Sequence, residues 1–186
     1  MDTPSKAICV FCASSHGADP AFTDAARALG RLIAEQGYAM VFGGGNIGLM
    51  GETARAAREA GTSVTGILPE FLRHLEPPLR KAEELVLVPD LYVRKREMIA
   101  RAGAFVILPG GPGTMDEFFE VVTSAQLGQH DKPIVLVNLG GFFDVLESLM
   151  LHMIEAGFAQ DSVLRLYHTV ATPEDAIKLL GKLLKP

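Results

Sequence analysis

Residues 104–117 read Ala-Phe-Val-Ile-Leu-Pro-Gly-Gly-Pro-Gly-Thr-Met-Asp-Glu. An apolar, strand-like run over 104–108 meets a glycine-rich turn, and a helix-like pattern opens directly after it. Glycines at such a junction let backbone N–H groups approach a ligand closely, and the start of the following helix favours an anion. A phosphate is the natural occupant. Glu117 distinguishes this turn from an ordinary phosphate loop, because a carboxylate on the first helical turn repels a phosphate unless it faces another part of the same ligand. Thr114-x-x-Glu117 is equally the pattern of a capping box, with Thr114 as N-cap and Glu117 reaching back to its N–H, so spacing alone leaves structure and chemistry both open.

The strand-to-helix alternation repeats along the chain and predicts a parallel sheet covered on both faces. Strand-like runs fall near 6–12, 38–42, 63–67, 84–88, 104–108, 133–138 and 166–170. The first helix follows Asp19-Pro20, carries Phe22, Ala25, Ala26, Leu29, Leu32 and Ile33 on one face, and ends at Gly37. Later helices are expected over about 48–60, 91–102, 114–127, 142–156 and 173–184, the last with Pro173 at its first position. Residues 69–82 look irregular and suit a loop or short helix near the site. The expected fold is α/β: a Rossmann-like three-layer arrangement with a central, mostly parallel sheet, formed by residues 1–186 as a single nucleotide-binding domain.

Composition sets limits. The chain has 186 residues, 48% of them hydrophobic, and a net charge of −5, which suits one substantial core. No apolar run approaches the roughly 20 residues that cross a bilayer, and the first residues lack the pattern of a signal peptide, so no membrane partner and a cytoplasmic location are expected. The negative charge and the lack of a basic stripe with interleaved aromatics argue against nucleic acid. Cys9 and Cys12 form one C-x-x-C on a predicted strand, which favours buried reduced thiols, and the histidines (16, 74, 130, 152, 168) have no ligand spacing, so no metal is expected.

In an open α/β sheet, ligands gather beyond the carboxyl ends of the strands. A second glycine run, residues 43–48, formally fits G-x-G-x-x-G but follows the second strand, and Ile67 and Leu68 stand where a dinucleotide site places an acidic residue. A mononucleotide gripped by two glycine loops is favoured over NAD, with a purely structural tight turn as the alternative. In Asp90-Leu-Tyr-Val-Arg94-Lys95-Arg96, Asp90 suits an N-cap, and the cations in the first turns oppose the helix dipole, which a nearby anion relieves and a solvated face also explains.

The string 109–117 resembles the Pro-Gly-Gly-x-Gly-Thr-x-x-Glu signature of the LONELY GUY family, the cytokinin riboside 5′-monophosphate phosphoribohydrolases. The resemblance extends to Phe11-Cys12-Ala13-Ser14-Ser15, to residues 43–51, to Arg94-Lys95-x-Glu97-Met98 and to residues 120–128. It implies a Rossmann-like, usually dimeric hydrolase that cleaves the N-glycosidic bond between a purine-type base and ribose 5-phosphate, with the substrate AMP or an N6-prenylated AMP. It implies that Arg94 and Glu117 are catalytic, and that Lys95, Glu76 and Thr123 bind substrate. The phosphate falls to Gly110, Gly111, Gly113 and Thr114, with Gly44 and Gly45 from the second loop. Ser14 suits phosphate or ribose, although a capping role serves it equally. Tyr92-Val93 and Arg96 depart from the family's usual Met-His and Ala, which bears on base preference. The chemistry requires no cofactor. Two rivals stay open: a non-catalytic nucleotide or cofactor carrier, and a pyridoxal-phosphate decarboxylase suggested only by an older label of the family. For assembly, Val121 and Ala125 widen the apolar face of the helix from Thr114, and a homodimer packed through about 91–127 is expected.

Overall fold

The computed structural model describes residues 7–74 and 84–184. Seven strands form one sheet: β1 (Ala7–Phe11), β2 (Ala39–Phe42), β3 (Val64–Pro69), β4 (Glu84–Val88), β5 (Ala104–Ile107), β6 (Ile134–Val137) and β7 (His168–Val170). Their order is β4-β3-β2-β1-β5-β6-β7, and every neighbouring pair is parallel. The described residues also form α1 (Pro20–Glu35), α2 (Gly48–Glu59), α3 (Leu91–Arg101), α4 (Pro112–Gln126), α5 (Asp144–Glu155) and α6 (Pro173–Leu183). The layering follows from side-chain alternation in the strands. In β1, Ile8 and Val10 pack with α1, α2 and α6, while Cys9 and Phe11 pack with α3, α4 and α5. The α/β three-layer fold expected from the sequence is the one observed.

The chain winds outward in both directions from the centre, because β2 lies on one side of β1 and β5 on the other. That reversal opens a crevice above β1 and β5 at their carboxyl ends. The loops there are tied together: Leu108 N–H donates to Phe11 O at 2.9 Å, and Ala13 N–H donates to Pro109 O at 3.2 Å.

Two expectations fail, each for a local reason. Helix α4 starts at Pro112 with Gly111 as N-cap, so Thr114 is not the cap and no capping box forms. Proline's fixed φ and missing N–H suit the first helical position, the same rule that places α6 at Pro173. Thr114 instead lies within the first turn and is 3% exposed. Helix α5 likewise starts at Asp144 rather than 142, because Gly140 and Gly141 (φ 59° and 77°) form a separate short turn ahead of it.

Val121 does not offer a second face for a partner. It is fully buried inside the chain, in the cluster that includes Phe118, Leu146, Met150 and Tyr167. Phe118 meets Tyr167 edge to face at 5.4 Å, and the His130 Nε2–H group donates to Val121 O at 3.0 Å. Val121→Glu therefore places an unpaired charge in the core, and the expected outcome is a loss of about 3 kcal/mol or more of folding stability. Urea unfolding followed by circular dichroism checks this; a folded, merely monomeric variant contradicts it.

Candidate active site

One pocket of about 170 Å³ occupies the crevice. Its walls come from the continuation of β1 (Cys12, Ala13, Ser14), from Gly43 after β2, from Arg94 on α3, and from Gly111, Gly113, Thr114 and Glu117 at the start of α4, with Met50 of α2 nearby. Four segments far apart in sequence thus converge because each leaves a strand at the same end of the sheet.

The start of α4 is built to receive something. A Cβ added to Gly111 or Gly113 meets no protein atom within 4 Å, so both face open space. At Gly110 the same Cβ lands 2.1 Å from Thr114 Oγ1, so the turn closes on Thr114 only because Gly110 has no side chain. The first turn of α4 thus presents its positive end to the pocket, the arrangement that holds phosphate elsewhere.

The second glycine run works differently. Leu49 N–H donates to Ser15 O and Met50 N–H to Ala13 O, each at 3.1 Å, so the first turn of α2 is engaged by the loop after β1. Gly48 (φ 55°) lies so close to Ser14 that a Cβ falls 2.2 Å from its carbonyl carbon. Gly44 and Gly45 are buried and stand outside the pocket walls. The run shapes the protein, and only Gly43 reaches the pocket.

Gly43 is the contact that sequence reasoning missed. Asp90 caps α3, accepting from Val93 N–H at 2.8 Å, and so sets the first turn that projects Arg94. The Arg94 side chain is nearly buried, and its Nη2 donates to Gly43 O at 2.9 Å. A Cβ at Gly43 would stand 1.8 Å from that nitrogen. Arg94 is always charged, so this contact fixes a positive charge at the pocket edge. Gly43→Ala is expected to displace Arg94 and lower kcat about tenfold while the protein stays folded. Steady-state kinetics with a melting curve checks it; an unchanged kcat contradicts it.

Cys12 lines the pocket floor, but its thiol is pushed well up from the ordinary range, first by burial and then by the negative charge of Glu117. Cys9, wholly buried beneath, is shifted the same way. Both are free thiols, and neither supplies a thiolate nucleophile near neutral pH. Among the described residues, no group of three or more His, Cys, Asp or Glu side chains is arranged to hold a metal ion.

The remaining expected contacts do not all meet here. Ser14 and Thr114 line the pocket, whereas Gly110 lies behind it, lining a neighbouring apolar hollow. Lys95 is turned away and bonded to Asp116 and Glu120, each at 3.0 Å. Burial alone would lower its pKa, but the hydrogen bonds and charges of those two carboxylates raise it, so the ammonium stays charged. Thr123 opens on a different hollow on the outer side of α4, with Phe119, Glu120 and Leu127. Glu76 lies outside the described residues.

Comparison with known proteins agrees with this architecture. A family model described as "Possible lysine decarboxylase" matches residues 50–180. The chain is 38% identical over 175 residues to the probable cytokinin riboside 5′-monophosphate phosphoribohydrolase LOGL2 of Oryza sativa subsp. japonica, covering 94% of this chain and 72% of the relative. It is 39% identical over 175 residues to cytokinin riboside 5′-monophosphate phosphoribohydrolase LOG3 of Arabidopsis thaliana, covering 94% and 81%. Among solved structures, the molybdenum cofactor binding protein of Rippkaea orientalis superposes with a TM-score of 0.73 at 22% identity, over 100% of this chain and 99% of that one. The Moco carrier protein of Chlamydomonas reinhardtii gives 0.70 at 24%, over 96% of each chain. At such identities these two share the fold alone. The relatives that match along nearly the whole chain decide the assignment: this chain belongs to the LONELY GUY family of cytokinin riboside 5′-monophosphate phosphoribohydrolases.

Proposed function

We propose that the protein hydrolyses the N-glycosidic bond of a nucleoside 5′-monophosphate, AMP or an N6-prenylated AMP, and releases the free base and ribose 5-phosphate. What carries the proposal is the meeting, in one pocket, of an anion-favouring helix start, a carboxylate and a fixed guanidinium. The phosphate binds at Gly111, Gly113 and Thr114, with Ser14 across from them. Glu117 follows on the same helix and faces the ribose. As the bond from C1′ to the base breaks, its electron pair leaves with the base and positive charge spreads over C1′ and O4′. The Glu117 carboxylate stabilises that charge and positions the attacking water, as carboxylates do in glycosidases. Water adds to C1′ as hydroxyl, and the proton it gives up balances the one taken up by the departing base, so the products are ribose 5-phosphate and the neutral base. Arg94 cannot serve as the acid, because a guanidinium does not give up its proton; it acts as a fixed positive charge toward the phosphate or the departing base.

The same proposal includes a two-fold homodimer and a cytoplasmic location. Leu91, Tyr92 and Leu127 are exposed large side chains on and just beyond α3 and α4, and Leu127 lines the hollow that holds Thr123. Packing two copies there covers this apolar surface and brings Thr123 into reach of the neighbouring base pocket. A charged nucleotide substrate stays inside cells, which suits the location. Incubation with AMP and with isopentenyladenosine monophosphate, followed by chromatography, is expected to show free base, and light scattering a dimer. A nucleotide held tightly but recovered intact contradicts the activity and favours a carrier; a fully active monomer contradicts the assembly.

A further inference from the structure

Behind the glycine turn that closes on Thr114 lies a second hollow, of about 240 Å³. It shares Ala13 and Gly111 with the walls of the nucleotide pocket, so the two spaces adjoin across those residues. Phe22 of α1 and Phe142, which precedes α5, line it and meet edge to face at 5.9 Å. Gly17 (φ 73°) runs so near Phe22 that a Cβ there would stand 2.8 Å from the ring, so only a glycine lets this loop close against the aromatic wall. The helical walls, Phe22 and Leu49 of α2, belong to the layer opposite α3 and α4. A dimer packed through α3 and α4 therefore leaves them uncovered.

Size and lining select the occupant. A dry cavity of about 150 Å³ is enough for benzene, and pockets for drug-sized ligands begin at about 300 Å³, so this hollow suits one fused pair of rings. Among the described residues no Lys, Arg, Asp or Glu lines it, so an ionic guest would find no side chain of opposite charge there. The Phe22 and Phe142 rings favour an aromatic guest, and the exposed Ser15 and His16 add a hydroxyl and an imidazole that can pair with ring nitrogens. A purine base meets all of these requirements, and the hydrolysis proposed above sets one free in the adjoining pocket. We propose that the hollow is a second binding site, which takes a free, neutral purine base while a nucleotide occupies the first. The choice of guest rests on that hydrolysis.

Calorimetric titration of adenine into the wild-type protein, with and without saturating 9-deaza-AMP, tests this; the carbon–carbon link of that analogue is not cleaved by water. Adenine is expected to bind once per chain when the analogue is present, with an affinity within about threefold of that seen without it, because separate sites need share little coupling. Phe142 is 42% exposed, so Phe142→Ala removes an aromatic wall without opening the core. Adenine affinity is expected to fall about tenfold or more in this variant, with kcat/KM for AMP changed by less than about twofold. In the wild type, adenine should shift the ring resonances of Phe22 and Phe142, a readout that needs no variant. Displacement of adenine by 9-deaza-AMP would mean one shared base pocket and overturn the proposal, as would no adenine binding, unmoved Phe22 and Phe142 resonances, or a folded Phe142→Ala variant with wild-type adenine affinity. Absence of base release from AMP refutes the hydrolysis, whereas base release with adenine displaced by the analogue refutes the second site alone.

Discussion

Glu117→Gln is expected to lower kcat by about a hundredfold or more while leaving the fold intact. The substitution keeps the shape of the side chain and its place on α4 but removes the negative charge that faces the ribose in the proposed complex. Loss of one preorganised electrostatic group commonly costs about 10²- to 10³-fold in rate. The interaction matters most when C1′ carries positive charge, so the loss belongs in kcat, with KM far less affected. Arg94→Ala is expected to give a loss of similar order, with KM rising as well if the guanidinium holds the phosphate. Base release measured under saturating substrate, with circular dichroism for folding, checks both. A Glu117→Gln enzyme with wild-type kcat would mean that the carboxylate is a bystander.

Removing the phosphate from the substrate should be as damaging as removing the carboxylate from the enzyme. Gly111 and Gly113 face open space at the start of α4, and Gly110 is fitted so closely to Thr114 that even a methyl group is excluded. Such a turn offers backbone donors and the positive end of a helix to an anion. Hydrogen bonds to a charged group contribute about 1.5–3 kcal/mol each, so losing two of them lowers kcat/KM at least about a hundredfold. Adenosine should therefore be a poor substrate beside AMP. Comparable kcat/KM for the two would show that the turn serves the fold and not the ligand.

Much of this was readable from residue order, and the failures have physical causes. The inner strands β1, β2, β3, β5 and β6 were legible because burial on both faces leaves a nearly continuous apolar signature. The pocket's position followed from topology, since each motif leaves a strand at the same end. The start of α4 was misplaced because Thr114-x-x-Glu117 imitates a cap, while Pro112, two residues earlier, fits the first position better. Glycine content did not say which run opens on the pocket: Gly44 and Gly48 are packed tightly against neighbouring atoms and Gly45 is buried, whereas Gly111 and Gly113 face open space. The carbonyl of Gly43 holds a guanidinium 51 residues away, a relation that exists only once β2 and α3 are brought together. Val121 looked like spare apolar surface because several members of its buried cluster, among them Leu146, Val163 and Tyr167, follow later along the chain. Residue spacing likewise did not show that Lys95 donates to Asp116 and Glu120, since those carboxylates lie on a different helix.

The central claim is that water cleaves the bond at C1′ in this pocket. Quantifying both products from isopentenyladenosine monophosphate, in buffer free of phosphate and pyrophosphate, tests it most directly. The predicted result is free base and ribose 5-phosphate in one-to-one ratio, formed at a rate proportional to enzyme and nearly abolished by Glu117→Gln. Intact nucleotide after prolonged incubation, or base released only when phosphate or pyrophosphate is supplied, would contradict it.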